Sequence, residues 1–264
     1  MSEALTTVVV DGHVHVYDLF DPETFLAAVE LNLQNFGDGP KVLMLAEGRS
    51  ADWFGGLRAG SARLPAGYAV EATGEDSSLM LTKFGKPLCW VIAGRQIVTA
   101  EDLEIIRIGS PEVIPDGHPI DQVVKQVLDG PGIAVLAWGV GKWLFGRGRI
   151  IGRIQREFFG PRLFVGDNRG RPVWWGRPRQ FDRARRLGMQ VLAGSDPLPF
   201  AEEQELVGSY GFTLDCAWDP RAPAHSVLSA LTQGAPATTV GHRDGPMAFF
   251  SRQWGMFKKK HLRR

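Results

Sequence analysis

The feature that most constrains the fold is a strand–helix–strand pattern at the start of the chain. Val8-Val9-Val10 is a β-branched apolar run that leads into Asp11-Gly12-His13-Val14-His15. Asp21-Pro22-Glu23 then offers a helix N-cap, a proline at the first helical position and an early acid. Residues 41–46 form a second buried apolar run. Two such strands joined by a helix make a βαβ unit, which predicts a parallel sheet.

The rest of the chain mixes two kinds of pattern. Residues 49–67 are rich in glycine and arginine and predict a loop, whereas residues 68–108 contain short β-prone runs that predict antiparallel strands. Afterwards strands and helices alternate again, with helices predicted near 118–128, 150–158, 180–187 and 222–232 and strands near 132–138, 163–165, 190–193 and 238–241. Repeated units over 264 residues, with no linker, favour one (β/α) barrel over two domains.

Composition and charge narrow the function classes. Thirty basic residues against 29 acidic ones leave the chain near neutral, which argues against a nucleic-acid partner. No apolar stretch is long enough for a membrane span and no secretion signal is visible, so we expect a soluble, cytoplasmic protein without a membrane partner. The two cysteines provide neither a disulfide framework nor a zinc knuckle. The basic run at 258–264 predicts a solvated tail.

Three strand ends carry side chains that are suited to chemistry. His13 and His15 are two residues apart in a strand, so both imidazoles face one side and can reach one metal ion. Asp196 lies on a Gly-Ser-Asp turn that follows a predicted strand, and Asp167 follows another. Each has a structural alternative: the histidines can be ordinary core residues, Asp196 can cap a helix, and Asp167 can stabilise a turn.

In chain order, these segments resemble the polymerase and histidinol phosphatase (PHP) family of metal-dependent phosphoesterases. Residues 11–15 resemble the family's opening His-x-His, residues 91–97 its third strand, and residues 194–196 its Gly-Ser-Asp motif. The resemblance spans about residues 8–212. It implies an α/β fold of the (β/α)7-like, distorted TIM-type barrel, with some antiparallel strands in the middle of the chain. Residues 1–257 would then form one barrel domain and 258–264 a basic tail.

Several family positions are substituted in this chain. Gln96 stands where the family has a metal-bridging glutamate, Trp138 where it has a histidine, and Leu198 where it has the last histidine. A neutral amide cannot replace a bridging carboxylate electrostatically. The resemblance therefore implies a reduced, mononuclear site for a divalent Zn, Mn or Fe ion, since three ligands suffice for one ion with water in the open position.

The resulting hypothesis is a metal-dependent hydrolase, a phosphoesterase acting on a small anionic substrate. We expect metal ligation by His13, His15 and Asp196, with Glu47 as a candidate substitute ligand. The candidate catalytic residues are Asp196, as general base if it is not a ligand, and Asp167; the candidate substrate-binding residues are Lys142, Arg169 and Arg171. Two alternatives stay open: a catalytically inactive binding protein of the same fold, and an amidohydrolase-type hydrolase. The oligomeric state is left open.

Overall fold

The computed structural model describes residues 4–262, and within them the chain alternates between strands and helices. The strands are β1 Thr6–Val14, β2 Lys41–Leu45, β3 Tyr68–Ala72, β4 Ser78–Lys83, β5 Lys86–Ile92, β6 Gly94–Val98, β7 Glu104–Ile108, β8 Ile133–Ala137, β9 Leu163–Asn168, β10 Val191–Gly194, β11 Tyr210–Cys216 and β12 Thr238–Gly241. The helices are α1 Pro22–Gln34, α2 Trp53–Arg58, α3 Ile120–Asp129, α4 Phe145–Glu157, α5 Arg179–Arg186, α6 Pro223–Thr232 and α7 Pro246–Leu262, with a short 3-10 helix at Ala201–Leu206.

The strands form two mixed sheets. The first contains seven strands in the order β12-β11-β1-β2-β5-β4-β3, and the second contains five in the order β10-β9-β8-β7-β6. The predicted βαβ opening is confirmed, because β1 and β2 pair in parallel with Val9 opposite Lys41. The predicted antiparallel middle is confirmed as well, since β3, β4 and β5 form a meander and β6 pairs antiparallel with β7.

The expected (β/α)7-like TIM-type barrel is wrong: within residues 4–262 the strands do not close into one barrel. The physical reason lies in β1 and β2. A strand has two hydrogen-bonding edges, and those of β1 are occupied by β11 and β2, while those of β2 are occupied by β1 and β5. The second sheet therefore meets the first through isolated contacts, such as Asp196 N donating to His13 O at 2.9 Å and Gln96 N donating to Glu47 O at 2.9 Å.

The apolar residues of both sheets are buried on two faces. One cluster lies between the sheets and includes Val8 and Val10, whereas Val9 belongs to a cluster that packs under α1 and α2. A third cluster packs α3, α4 and α5 on the five-stranded sheet. This two-sided burial explains why the strands read as continuous apolar runs rather than alternating ones.

Most predicted helices are present, with shifted ends. Asp21 caps α1 as expected, because Thr24 N donates to its carboxylate at 2.9 Å. The predicted loop at 49–67 contains the short helix α2, and the C-terminal helix α7 was not predicted. Lys258 and Lys259 of the expected basic tail belong to α7, and Arg263 and Arg264 lie outside the described residues. No helix in the described range combines the length and apolar character that a bilayer crossing demands.

Candidate metal centre

Three polar side chains stand at alternate positions at the end of β1: Asp11 and His13 lie in the strand, and His15 is the residue that follows it directly. The two imidazoles are almost fully buried, at 5% and 8% exposure. Their Nε2 atoms lie 3.0 Å apart. Alternation along a strand places these side chains on one side, as the spacing predicted.

Asp196 completes a cluster of three ligand atoms. Its Oδ1 atom lies 3.4 Å from His13 Nε2 and 3.5 Å from His15 Nε2. Among the histidine, cysteine and acidic side chains of the described residues, these three have ligand atoms that lie close enough together to hold one ion. Atoms that bind one ion at about 2.0–2.2 Å lie roughly 3 to 3.5 Å from one another. Two imidazole nitrogens and one carboxylate oxygen also form a donor set that suits Zn, Mn or Fe.

The backbone at Asp196 is strained in a way that aims its carboxylate. Asp196 has a φ of +48°, a left-handed conformation that non-glycine residues rarely adopt, and it precedes Pro197. The hydrogen bond from its N–H to His13 O holds the turn against β1. Gly194 allows this close approach, because a Cβ atom there would lie 2.3 Å from His13 N.

Asn168, at the end of β9, orients the carboxylate of Asp196. Its amide nitrogen donates to Asp196 Oδ2 at 2.7 Å and to Trp138 O at 2.9 Å. Asp196 Oδ2 is thereby occupied, and Oδ1 is directed to the imidazoles. The Oδ1 atom of Asn168 is buried and has no hydrogen-bond partner in the described structure, so it is a polar atom available to a bound group.

Asp11 holds together the three segments that form the site. Its carboxylate accepts hydrogen bonds from Ser195 N at 2.8 Å, Ser195 Oγ at 2.5 Å, Gly208 N at 2.8 Å and His13 N at 3.2 Å. Complete burial raises the pKa of Asp11 to about 6, although these hydrogen bonds oppose the increase. Asp11 is therefore a positioning residue for His13 and for the turn that carries Asp196.

The protonation states of the cluster favour metal binding. Burial, and next the neighbouring His13, lower the pKa of His15 to about 4, so its imidazole is neutral near pH 7. Burial acts to raise the pKa of Asp196, but His13, His15, Arg252 and Lys142 together bring that pKa below its ordinary value. A neutral imidazole and an ionised carboxylate are the forms that ligate metals.

The structure does not bring Glu47 to the cluster. One of its carboxylate oxygens accepts a hydrogen bond from Phe54 N at 2.9 Å, and the other lies 3.4 Å from Arg95 Nη1. Burial raises the pKa of Glu47. Gln96 is the side chain beside His15, with which it hydrogen-bonds, at the place where the family resemblance expects a glutamate.

A cavity of about 360 Å³ opens onto His15 and Asp196. Lys142 lines it, as predicted for a substrate-binding residue, but its Nζ atom lies 2.5 Å from Glu104 Oε1. Arg252 of α7 also lines the cavity and donates to Asp196 O at 2.8 Å. The cavity therefore has one cation on each of two sides of the cluster, and each cation is paired with an acidic side chain, Lys142 with Glu104 and Arg252 with Glu203.

The other predicted site residues are used in ion pairs away from the imidazoles. Asp167 accepts two hydrogen bonds from Arg171, at 2.7 and 2.6 Å, and a third from Tyr210 Oη at 3.0 Å. Arg169 lies 3.2 Å from the fully buried Asp244. The structure thus brings together His13, His15 and Asp196 but leaves Asp167, Arg169 and Arg171 in structural pairs.

Sequence reasoning missed three residues of this region: Asp11, Asn168 and Arg252. For Asp11 a signal existed, because an aspartate within an apolar strand, two positions before His13, has to be hydrogen-bonded if it is buried. Asn168 stands next to the predicted Asp167 at the end of the same strand, but no local pattern indicated that Asn168 rather than Asp167 contacts Asp196. Arg252 had no signal, since its helix was not predicted.

An α/β fold with a histidine–carboxylate cluster at strand ends is thus the class of protein that the structure defines. No known protein-family profile matches the sequence, and no curated protein matches it either. Among solved structures, PsfC from Pseudomonas syringae PB-5123 is similar over 97% of this chain and 99% of its own, with a TM-score of 0.59 and 14% identity. An Endonuclease Q is similar over 90% of this chain and 60% of its own, with a TM-score of 0.51 and 9% identity.

At 14% and 9% identity these similarities are at the level of the fold, and they provide no sequence evidence of membership in the PHP family. The Endonuclease Q structure is a complex with a 27-mer duplex that carries an abasic lesion at the active site. The exclusion of nucleic acid as a partner was therefore wrong: this fold does accommodate a protein that binds DNA. The physical reason is that net charge averages over the surface, whereas binding of a polyanion depends on local charge.

Proposed function

We propose that this protein is a metal-dependent hydrolase of phosphoesters with a mononuclear centre. The observation that carries the proposal is the convergence of His13 Nε2, His15 Nε2 and Asp196 Oδ1 at the edge of a cavity that Lys142 also lines. Burial limits competition from bulk water for these atoms, and the ammonium group of Lys142 at the cavity wall is a hydrogen-bond donor for an anionic ester. The PHP resemblance implies the same chemistry.

The residues of the site have separate roles in this proposal. His13, His15 and Asp196 would hold a divalent Zn, Mn or Fe ion, which when bound would supply Lewis-acid activation of water and of a phosphoryl oxygen. Asp196 acts as a ligand rather than as a free base, because Asn168 occupies its other oxygen. Lys142 provides a cation for the ester, and its pairing with Glu104 fixes the ammonium group at the cavity wall.

A binding protein without catalysis is the second candidate. One observation favours it: Gln96 leaves the cluster with a single anionic ligand, and Glu104 neutralises the cation at Lys142. The amidohydrolase alternative gains no support, because an eight-stranded closed barrel would have favoured it and the described strands form two separate sheets.

Metal content tests the proposal directly. Protein purified without chelators should contain about one Zn, Mn or Fe ion per chain by elemental analysis, and the His13→Ala/His15→Ala variant should contain none. His225→Ala is the matched control, because His225 is an exposed histidine of α6. Protein without metal, whose melting temperature does not respond to added Zn or Mn, would refute the metal centre.

Hydrolysis separates the two candidates. We expect the metal-loaded protein to release phosphate or alcohol from p-nitrophenyl phosphate, bis-p-nitrophenyl phosphate or DNA, which is included because the Endonuclease Q neighbour is a DNA complex. The His13→Ala/His15→Ala variant should not hydrolyse these substrates. Stoichiometric metal without turnover of any monoester or diester would favour the binding protein.

A further inference from the structure

A second cavity adjoins the candidate metal centre. It has a volume of about 610 Å³ and lies between α4 and α5. Its lining includes four arginines and three tryptophans: Arg149, Arg156, Arg179, Arg183, Trp138, Trp143 and Trp175. Among the described residues 4–262, no aspartate or glutamate lines it. We refer to it below as the arginine groove.

The packing of α4 on α5 explains why these cations share one surface. Gly148 and Gly152 stand one turn apart on α4, and their lack of a side chain lets α5 approach, since a Cβ atom at Gly152 would overlap the guanidinium of Arg183. Arg149 and Arg156 are seven residues apart, so they lie on the same face of α4, about 10 Å from each other along its axis.

The groove arginines differ from their neighbours in how their charges are balanced. Arg147 pairs with Asp102, and Arg153 pairs with Asp121 and Glu157. By contrast, the structure records no ion pair for Arg149, Arg156 or Arg179 over residues 4–262. Positive charge that is concentrated in a concave site without an internal counter-ion attracts anions from solution.

Aromatic side chains give the groove a second kind of contact. Phe145, at the start of α4, is 91% exposed and has a φ of +52°, so the fold holds an apolar ring in solvent on a strained backbone. Trp175 is half-buried in the groove wall. Trp138 lines both the groove and the cavity of the metal centre, so the two spaces share a wall.

We propose that the arginine groove binds the backbone of a single-stranded nucleic acid. Arginines neutralise successive phosphates, and exposed aromatic rings stack on unpaired bases, a combination that is typical of single-strand binding. The backbone positions of Arg149 and Arg156 are separated by about 10 Å along α4, and Arg179 and Arg183 lie on α5, so the cations are distributed along the groove as a chain of phosphates requires. Binding of the strand in the groove does not depend on the proposed function. Only the further step, in which the adjacent metal centre hydrolyses this strand, rests on the proposed function.

Binding of a single strand is measured with metal removed, so that hydrolysis does not contribute to the result. A fluorescein-labelled dT12 oligonucleotide is titrated with the full chain in EDTA, and its anisotropy gives the Kd at 50 to 200 mM salt. With four phosphate contacts on a single strand, the slope of log K against log salt should be about −3, and affinity should fall about fifty-fold over this range.

Three groove arginines are then removed together. The variant Arg149→Ala/Arg156→Ala/Arg179→Ala should keep its fold, because alanine is the best helix former at exposed helix positions. We expect its slope to fall to about −1, with only about a threefold loss between 50 and 200 mM salt. Arg63→Ala/Arg185→Ala/Arg221→Ala is the control of equal charge, since these exposed arginines do not line the groove, and it should keep the wild-type slope.

The aromatic contact has its own test. Phe145→Ala should weaken dT12 binding at least about fivefold without changing the salt slope, since stacking involves no counter-ion release. Equal loss of binding in the groove and control variants would overturn the proposal. The proposal would also be overturned if the groove variant lost binding to phosphatidylserine vesicles but still bound dT12 like the wild type. Groove-dependent dT12 binding without hydrolysis by the metal-loaded protein would support the groove while refuting the proposed function.

Discussion

Replacing Arg252 tests whether its buried ion pairs and hydrogen bonds hold α7 against the candidate metal centre. Its guanidinium is 8% exposed and contacts three groups: Nε lies 2.9 Å from Glu203 Oε1, and Nη1 and Nη2 donate at 2.8 Å to Asp244 Oδ2 and to Asp196 O. If Arg252 is replaced by methionine, Asp244 retains Arg169 as a partner, at 3.2 Å. Glu203, which is 3% exposed, loses its ion-pair partner.

The expected loss of stability follows from that unpaired carboxylate. Removing one partner of a buried ion pair costs about 3–5 kcal/mol, because the remaining charge is desolvated without compensation. For a chain of this size, such a loss lowers Tm by about 10 °C. The measurement is thermal unfolding by circular dichroism, with Lys258→Met as the control, since Lys258 is an exposed cation of the same helix.

The loss of stability in Arg252→Met should grow as the pH rises. Burial already raises the pKa of Glu203, and Arg252 opposes that increase. Without Arg252 the folded-state pKa of Glu203 rises further above its unfolded value. The folded state then favours the protonated carboxyl, so the variant is least impaired near pH 4–5 and loses stability as the pH rises through the folded-state pKa.

The double variant Arg252→Met/Glu203→Gln separates this electrostatic cause from lost packing. It should recover at least half of the loss in Tm at pH 8, because no unpaired carboxylate remains. A deficit that is equal at pH 5 and pH 8, or a double variant no more stable than Arg252→Met, would refute the reasoning.

Three further predictions concern the site and the core. Gln96→Glu adds an anionic ligand beside His15 and should tighten Zn or Mn binding by about tenfold or more in calorimetric titration, whereas Gln96→Ala should not; equal affinity of the two variants would contradict this. Asp11→Asn replaces one acceptor oxygen by an amide NH2 group, so either the Ser195 N and His13 N donors or the Ser195 Oγ and Gly208 N donors lose their acceptor; this should cost about 2–3 kcal/mol in urea unfolding, and a wild-type midpoint would argue against its positioning role. Burial raises the pKa of the Cys89 thiol from 9.0 to about 12. Iodoacetamide at pH 8 should therefore label Cys89 only after unfolding, which peptide mass spectrometry can follow. The stability that the neutral thiol provides should be lost as the pH rises from about 9 towards 12. Rapid labelling of the native protein would contradict the last of these.

The sequence by itself determined the local structure and the pair of histidines. The apolar runs before His13 and at 41–45 fixed β1 and β2, and the Asp21-Pro22 cap fixed the start of α1, because these signals depend on residues near one another in the chain. The two-residue period of a strand was enough to place His13 and His15 on one side.

Only the tertiary structure decided which other residues join that pair. Whether the strands close a barrel depends on which strand edges are already occupied, and β11, which arrives about 200 residues after β1, takes the edge that β10 would have needed. The same long-range pairing directs Asn168 rather than Asp167 to Asp196, and it turns Glu47 towards Phe54. Contacts between distant segments depend on the packing of the whole chain, so no local pattern could have assigned them.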